Sequence, residues 1–510
     1  MVFSKETGIV NKFVLIAFLL FSGCALGPNY HPPENQVLEQ WSASSVASQE
    51  ISEGPLLTDW WKAFEEPLLT QYIEKAAVNN YDLRTAEANI LQARAMRNIA
   101  ASSFYPKIGA DVNATRLHFS KNGLSFGSES PATSGTSASP SQTQNFFTTL
   151  FDAIWEIDFF GKTRRSVEAA EANIGSAIEQ RNDVLITILA EVARNYIEIR
   201  SNQCLFALVE ENVALLEQEA CIIKKQFESG YVSLLNYETI QSTLSTERAL
   251  LPDIKAKIYQ GIYALSILTG DMPEALVDEL TIPGSLPKIP QHVAVGIRSD
   301  LLRRRPDVRR SERQLAAATA NIGVAIASFF PSVLLYGVGG LQSTLLRNLF
   351  KSSSGLWALG GNANIPLFEG GKLVGNFQAN KATATAAAYS YQQTVLNALE
   401  ETESAIVAYA EDLATTEQLL KTTKSNQILV DLTRERHRKG LINRLNLLDS
   451  ERQLNSAEQS LLQSQFSALT DLIILYKALG GGWEPKEITE EVAPCSSSEE
   501  EISPVAPTRG

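Results

Sequence analysis

The sequence predicts a mixed α+β fold made of two copies of one long unit, each joining short antiparallel strands to very long helices. Three observations predict it. The chain is self-similar along its length, parts of each copy alternate with period two, and two stretches, Arg164 to Ser229 and Gln378 to Lys439, contain no proline and only one glycine, Gly175.

The repeat sets the organisation. Asp82 to Pro106 aligns with Asp307 to Pro331 at a shift of 225, so that Glu87 meets Glu312 and Ser103-Phe104-Tyr105-Pro106 meets Ser328-Phe329-Phe330-Pro331. Further on the shift becomes 210: Gly161-Lys162 meets Gly371-Lys372, Gly230 meets Gly440 and Gly270 meets Gly480. The difference falls in Lys121 to Gln144, rich in Ser, Gly and Thr, which reads as a longer surface loop. The units are therefore 67–270 and 292–480, joined by a linker at 271–291 and preceded by an extended segment at 24–66. The tail, 484–510, has seven glutamates, three consecutive serines and several prolines, a composition expected of disorder.

Each unit opens with an Ala-rich helix, Leu83 to Ser103 in the first, which Pro106 stops. Strand-like segments follow. In the first unit Phe147, Thr149, Phe151, Ala153, Trp155 and Ile157 share one face, while Thr148, Asp152, Glu156 and Asp158 share the other. The second unit alternates more weakly over Val333 to Leu341 and Leu356 to Leu367. The long runs then span roughly 90–100 Å each if helical throughout, at 1.5 Å per residue. Each ends at a glycine, Gly230 or Gly440, and returns through a second helix. In the last return Leu447, Leu454, Leu461, Ala468 and Leu475 recur every seven residues, the period of a coiled coil. Four strands per chain are too few to close a barrel, so they must pair with further copies: a dimer would bring eight and a trimer twelve.

Composition removes several functions. With 44 Lys and Arg against 57 Asp and Glu, the net charge of −13 argues against a nucleic-acid partner. The four cysteines and four histidines are scattered, with no CxxC pair and no HExxH, so no metal or cofactor is expected. Neither a GxSxG nucleophile nor a P-loop is present, and no enzyme activity is expected. At the N-terminus Lys5 and Lys12 precede the apolar run Phe13 to Phe21, which ends in Ser22-Gly23-Cys24. That run is too short for a stable membrane span and reads as an export signal. Its end resembles the bacterial lipoprotein signal, with residues 1–23 removed and Cys24 lipidated, although Phe21 stands where such signals prefer Leu.

The run Leu301-Leu302-Arg303-Arg304-Arg305-Pro306-Asp307-Val308, continuing through Glu312, Leu315 and Ile322-Gly323-Val324-Ala325 to Phe329-Phe330-Pro331, resembles the signature of the TolC-like outer-membrane efflux lipoproteins. Pro28-Asn29-Tyr30 and Trp60-Trp61-Lys62-Ala63-Phe64 resemble that family's N-terminal pattern, and the likeness covers about residues 20–483. It implies a homotrimer in which a transmembrane antiparallel β-barrel, four strands from each of three chains, continues into an α-helical coiled-coil barrel across the periplasm. It also implies a periplasmic adaptor, an inner-membrane pump and outer-membrane lipids as partners. Small molecules would pass passively through such a duct. A protein-secretion duct, or a non-conducting coiled-coil envelope lipoprotein, are the alternatives.

The glycine stops mark hairpin tips. Glycine there takes the left-handed conformation that ends a helix, and the resemblance makes Gly230, Tyr231, Gly440 and Leu441 the adaptor-facing mouth. Related channels carry acidic gate residues shortly after the second tip. Asn446 and Asp449 hold those places here. Arg303, Arg304 and Arg305, beside Pro306-Asp307, read as a helix-start network rather than a recognition patch.

Overall fold

The computed structural model describes residues 25–33, 41–42, 51–52, 58–118, 143–290, 293–295 and 298–483. Cys24, the inserted loop at 119–142 and the acidic tail lie outside these residues.

Local sequence explains where the helices begin and end. Helix α1 (Pro67–Asn79) starts with proline, whose missing N–H costs nothing in a first turn. Helix α2 (Tyr81–Ala101) is capped by Asn80, whose Oδ1 accepts from the Asp82 and Leu83 amides at 2.8 and 3.3 Å. It gives way to a short 3-10 turn before Pro106. After two strands, β2 (Lys107–His118) and β3 (Thr143–Ile157), the chain enters α3 (Lys162–Glu228), one unbroken helix of 67 residues, and returns through α4 (Leu234–Leu268). The segment expected as a linker carries a short helix, α5 (Val277–Leu280), with Leu276 and Leu280 buried.

The second half repeats this order. A short helix, α6 (Arg298–Arg304), leads to α7 (Pro306–Ala327), then β5 (Ser332–Ser343), β6 (Gly355–Asn364), α8 (Lys372–Arg438) and α9 (Arg444–Ala478). Helix α8 again has 67 residues and α9, like α4, has 35. Strand β6 stops at Asn364, short of the expected Leu367, because Pro366 has no amide to continue the ladder.

The four strands form one antiparallel sheet in the order β2-β3-β5-β6, leaving β2 and β6 as open edges. A separate pair of two-residue strands, β1 (Ile51–Ser52) and β4 (Val293–Ala294), runs parallel. Pairing register in the large sheet settles which residues share a face. Phe147, Thr149, Phe151, Ala153 and Trp155 stand opposite Ala114, Val112, Ala110 and Ile108 on one side and Leu341, Gly339, Gly337 and Leu335 on the other. Trp357, Leu359 and Ala363 continue that apolar face on β6. The opposite face holds Asp111, Asp152, Glu156, Gln342 and Asn362, with Leu150, Ile154 and Tyr336 among them. Asp158, expected on this polar face, lies beyond the strand and accepts from the Arg164 backbone amide at 2.9 Å, so it caps the start of α3.

The main core sits where the helices bundle. Trp60 is buried and stacks on Tyr476 at 5.1 Å, among Leu69, Ile73, Tyr196, Ile197, Tyr409 and Leu472. Tyr196 donates to Glu66 at 2.9 Å, and Arg200 donates to the Tyr196 hydroxyl and the Ile282 carbonyl. The heptad leucines of α9 are only partly the buried ones: Leu447, Ala468 and Leu475 are covered, whereas Leu462 and Ala457 replace Leu461 and Leu454 between them. A strict seven-residue repeat drifts about 20° per turn pair on a straight helix, so the contact stripe moves off it.

Candidate functional site

Of the predicted site residues, Gly230, Tyr231, Gly440, Leu441, Asn446 and Asp449 lie at or just after the two helix tips, and Cys24 lies just outside the described residues. At the first tip Gly230 has φ 77°, its amide donates to the Phe227 carbonyl at 2.9 Å, and the Tyr231 amide donates to Gln226 at 2.8 Å. The second tip copies it: Gly440 has φ 73°, with Gly440 donating to His437 at 2.9 Å and Leu441 to Arg436 at 3.0 Å. This is the two-bond pattern by which a left-handed residue satisfies the last carbonyls of a helix. The next helices are capped by Ser233 and Asn443, whose side chains accept from the Asn236 and Asn446 amides. A Cβ on Gly230 or Gly440 would meet nothing within 4 Å, so only the backbone conformation demands glycine. Tyr231 is 84% exposed and Leu441 65%, apolar groups presented to the outside at both tips.

Asn446 and Asp449 lie on the first two turns of α9 and are exposed, on the side away from buried Leu447 and Leu448. Asp449 accepts from Gln453 Nε2 at 2.9 Å. Nearby, a set of polar bridges joins the two hairpins. Arg444 donates to Gln218 at 2.7 Å and Arg452 to Glu219 at 3.1 Å, while within the second hairpin Arg434 donates to Glu451 at 3.1 Å. Sequence reasoning missed these residues. Their partners lie up to 233 positions apart, and nothing in either segment alone signals the pairing.

The N-terminal segment is clamped where the sheet meets the helices. Leu26 donates to the Phe160 carbonyl at 3.3 Å, and Ala25 packs so closely on Gly161 that a Cβ there would stand 2.6 Å from the Ala25 Cα. Buried Arg165 donates to the Leu26 and Gly27 carbonyls at 3.1 and 3.3 Å and to Asn29 Oδ1 at 2.7 Å. Tyr30 donates to Glu312 at 3.2 Å. Two motifs noted separately in the sequence therefore meet: Gly27 rests against Gly323, where a side chain on either would clash with backbone.

Of the arginine run, Arg305 makes the helix-start network, while Arg303 and Arg304 form the last turn of α6. Arg305 is buried, forks onto Asp307 at 2.7 and 3.0 Å, reaches Glu401 at 2.7 Å and donates to the Ala478 carbonyl at 3.1 Å. It thereby ties the start of α7 to α8 and to the end of α9. Among the described residues no group of His, Cys, Asp or Glu has the geometry of a metal site, and no helix is long and apolar enough to cross a membrane.

The chain belongs to the outer membrane efflux protein family, whose model matches residues 72–271 and 297–481. It is 32% identical over 479 residues to a probable efflux pump outer membrane protein, TtgC, of Pseudomonas putida, covering 92% of this chain and 95% of that protein. Among solved structures it is similar to the outer-membrane channel OprN, with 28% identity and a TM-score of 0.80 over 91% of this chain and all of the other. The open-state outer membrane channel MtrE of Neisseria gonorrhoeae matches with 26% identity and a TM-score of 0.73, over 90% of this chain and 98% of that one. This chain is accordingly an outer-membrane efflux channel of the TolC-like type.

Proposed function

We propose that three copies of this chain form one continuous duct, a twelve-stranded barrel in the outer membrane leading into a helical tunnel, which passes small molecules delivered by a periplasmic adaptor and an inner-membrane pump. The observation that carries this reading is the open sheet. One face is an apolar band across all four strands, ending at Arg116 and Asn145 toward the hairpin end, and both edges are unpaired within the chain. A sheet in lipid must close, because each unpaired backbone group there costs several kcal/mol, roughly, and only a ring leaves none. The polar face then lines a wet lumen.

A second feature supports assembly. Val374, Tyr389, Leu396, Val407, Ile428 and Leu432 are all exposed on α8. At 100° per residue they fall within an arc of about 60°, a single apolar stripe along most of the helix. In the proposed trimer the neighbouring copy covers it.

In this reading Cys24 carries the lipid. Its neighbour Ala25 is held against Gly161, at the level where β3 gives way to α3, which suits acyl chains entering the inner leaflet. The tips at Gly230, Tyr231, Gly440 and Leu441 meet the adaptor. Asn446 and Asp449, repeated threefold, form a constriction at the mouth, with the Arg444–Gln218 and Arg452–Glu219 bridges holding the hairpins together until a partner favours the open form.

The test combines purified protein and cells. In planar bilayers the protein should give discrete conductance steps, and in a strain lacking its own outer-membrane efflux component it should restore resistance only together with a compatible pump and adaptor. Mass spectrometry of the mature N-terminus should find a lipidated Cys24. A detergent-free soluble monomer without conductance would end the proposal.

A further inference from the structure

The outer end of the sheet, away from the helices, has a charge pattern that conduction does not use. On the apolar face of β2, Ile108, Ala110, Val112 and Ala114 are followed in step by Arg116, opposite Asn145, and His118, opposite Thr143. Arg116 is the one formally charged residue on that face among the four strands. It stands just past the apolar band, on an open edge. The turn between β5 and β6 adds Arg347 and Lys351. That turn is ordered by the Lys351 amide and Ser354 Oγ donating to the Asn348 carbonyl, and by buried Leu349. Its Leu346 and Phe350 are exposed.

The two ends of the sheet differ in how cations are matched. At the inner end three cations have carboxylate partners, Lys162 with Glu156, Arg164 with Asp158 and Lys372 with Glu369, and Lys107 alone makes no ion pair with described residues. At the outer end, residues 115–118, 143–146 and 341–356 include no Asp or Glu, and Arg116, Arg347 and Lys351 make no ion pair with described residues. Cations with no carboxylate among the described residues of the rim, on a chain of net charge −13, are matched to an anion from outside. Cations beside exposed Leu and Phe, directly above an apolar band, are the arrangement of a segment lying at a lipid headgroup layer. Closing the barrel also sets edge β2 of one copy beside edge β6 of the next, bringing Arg116 to the side of the neighbour's turn.

We propose that Arg116, Arg347 and Lys351 form a binding rim for the phosphate groups of lipids in the outer leaflet, with Leu346 and Phe350 resting among their acyl chains. This inference depends on the sheet being the membrane barrel proposed above. The probe is bis-phosphorylated lipid A. The full chain, reconstituted in bilayers of phosphatidylcholine with and without lipid A, is extracted and its retained lipid counted by native mass spectrometry. The parent should retain lipid A in preference to phosphatidylcholine. The Arg116→Gln/Arg347→Gln/Lys351→Gln variant should retain on the order of tenfold less, with conductance in pure phosphatidylcholine unchanged. Arg116→Lys, which keeps the charge, should behave like the parent. Equal retention by parent and triple variant, or a parent without preference for lipid A, would overturn the rim while leaving the channel standing if conductance persists. Loss of insertion by the parent itself would remove the barrel reading and this one together.

Discussion

The two 67-residue helices are matched in length, start and stop, yet they live in different surroundings. Helix α3 packs against α1, α2, α4, α7 and α9 within its own chain, whereas α8 packs mainly against α7 and α9. Large apolar residues of α3, including Ile188, Leu189, Val192, Tyr196, Ile197 and Leu216, are almost wholly buried. Fewer than half as many residues of α8 are buried, and its exposed positions include the Tyr389, Leu396 and Leu432 stripe. Two helices of equal length thus have unequal settings. One copy of the long helix builds the protomer, and in the proposed trimer the other is the surface on which protomers meet.

This contrast can be tested by breaking each helix where it is said to matter. Leu216→Ala removes a side chain with no exposure from α3 and should cost the protomer about 2–5 kcal/mol. Its thermal unfolding and protease resistance should both fall, whatever the state of assembly. Leu396→Asp on α8 should spare the protomer's circular dichroism but reduce the trimer fraction seen by cross-linking. Burial of a leucine in the partner interface is worth roughly 1.5–3 kcal/mol, all of which the charge forfeits. If Leu396→Asp left trimers intact while unfolding the protomer, the division of labour would be reversed.

The helix ends give a smaller effect. Gly440→Val forces a branched residue to positive φ and should cost about 1–2 kcal/mol locally, since nothing crowds the site. Adaptor binding, followed by surface plasmon resonance, should weaken more than global stability does. Asp449→Ala should leave folding unchanged and alter the cation dependence of single-channel conductance. An identical conductance–cation curve would place the constriction elsewhere.

The smallest effect concerns α8 and α9 together. Burial, and then the facing Asp412 carboxylate, pushes Asp471 above the usual aspartate range. Its folded form therefore holds a proton more tightly than its unfolded form, and stability from this site is present at low pH and lost as pH rises through the raised value. Asp471→Asn should raise the midpoint of thermal unfolding slightly at pH 7 and leave it unchanged near pH 3. A gain of equal size at both pH values would refute the coupling.

Much of this architecture was legible from one sequence because its signals are local and periodic. Proline at 67 and 306, the glycines at 230 and 440 and the uninterrupted runs between them set element ends by backbone sterics, and alternation in Phe147 to Ile157 marked the apolar sheet face before any partner strand was known. The tertiary structure alone decided what depends on distant neighbours. The drift of the α9 contact stripe off its heptad, the seating of Gly27 on Gly323, the Arg305 junction of three helices and the bridges from Arg444 and Arg452 to the first hairpin all join residues far apart in the chain. Neither partner's own segment encodes such a contact, because its energy exists only once packing has brought the other within a few ångströms. The unequal burial of two equal helices has the same origin: length and periodicity are properties of a segment, but which face is covered is a property of everything packed around it.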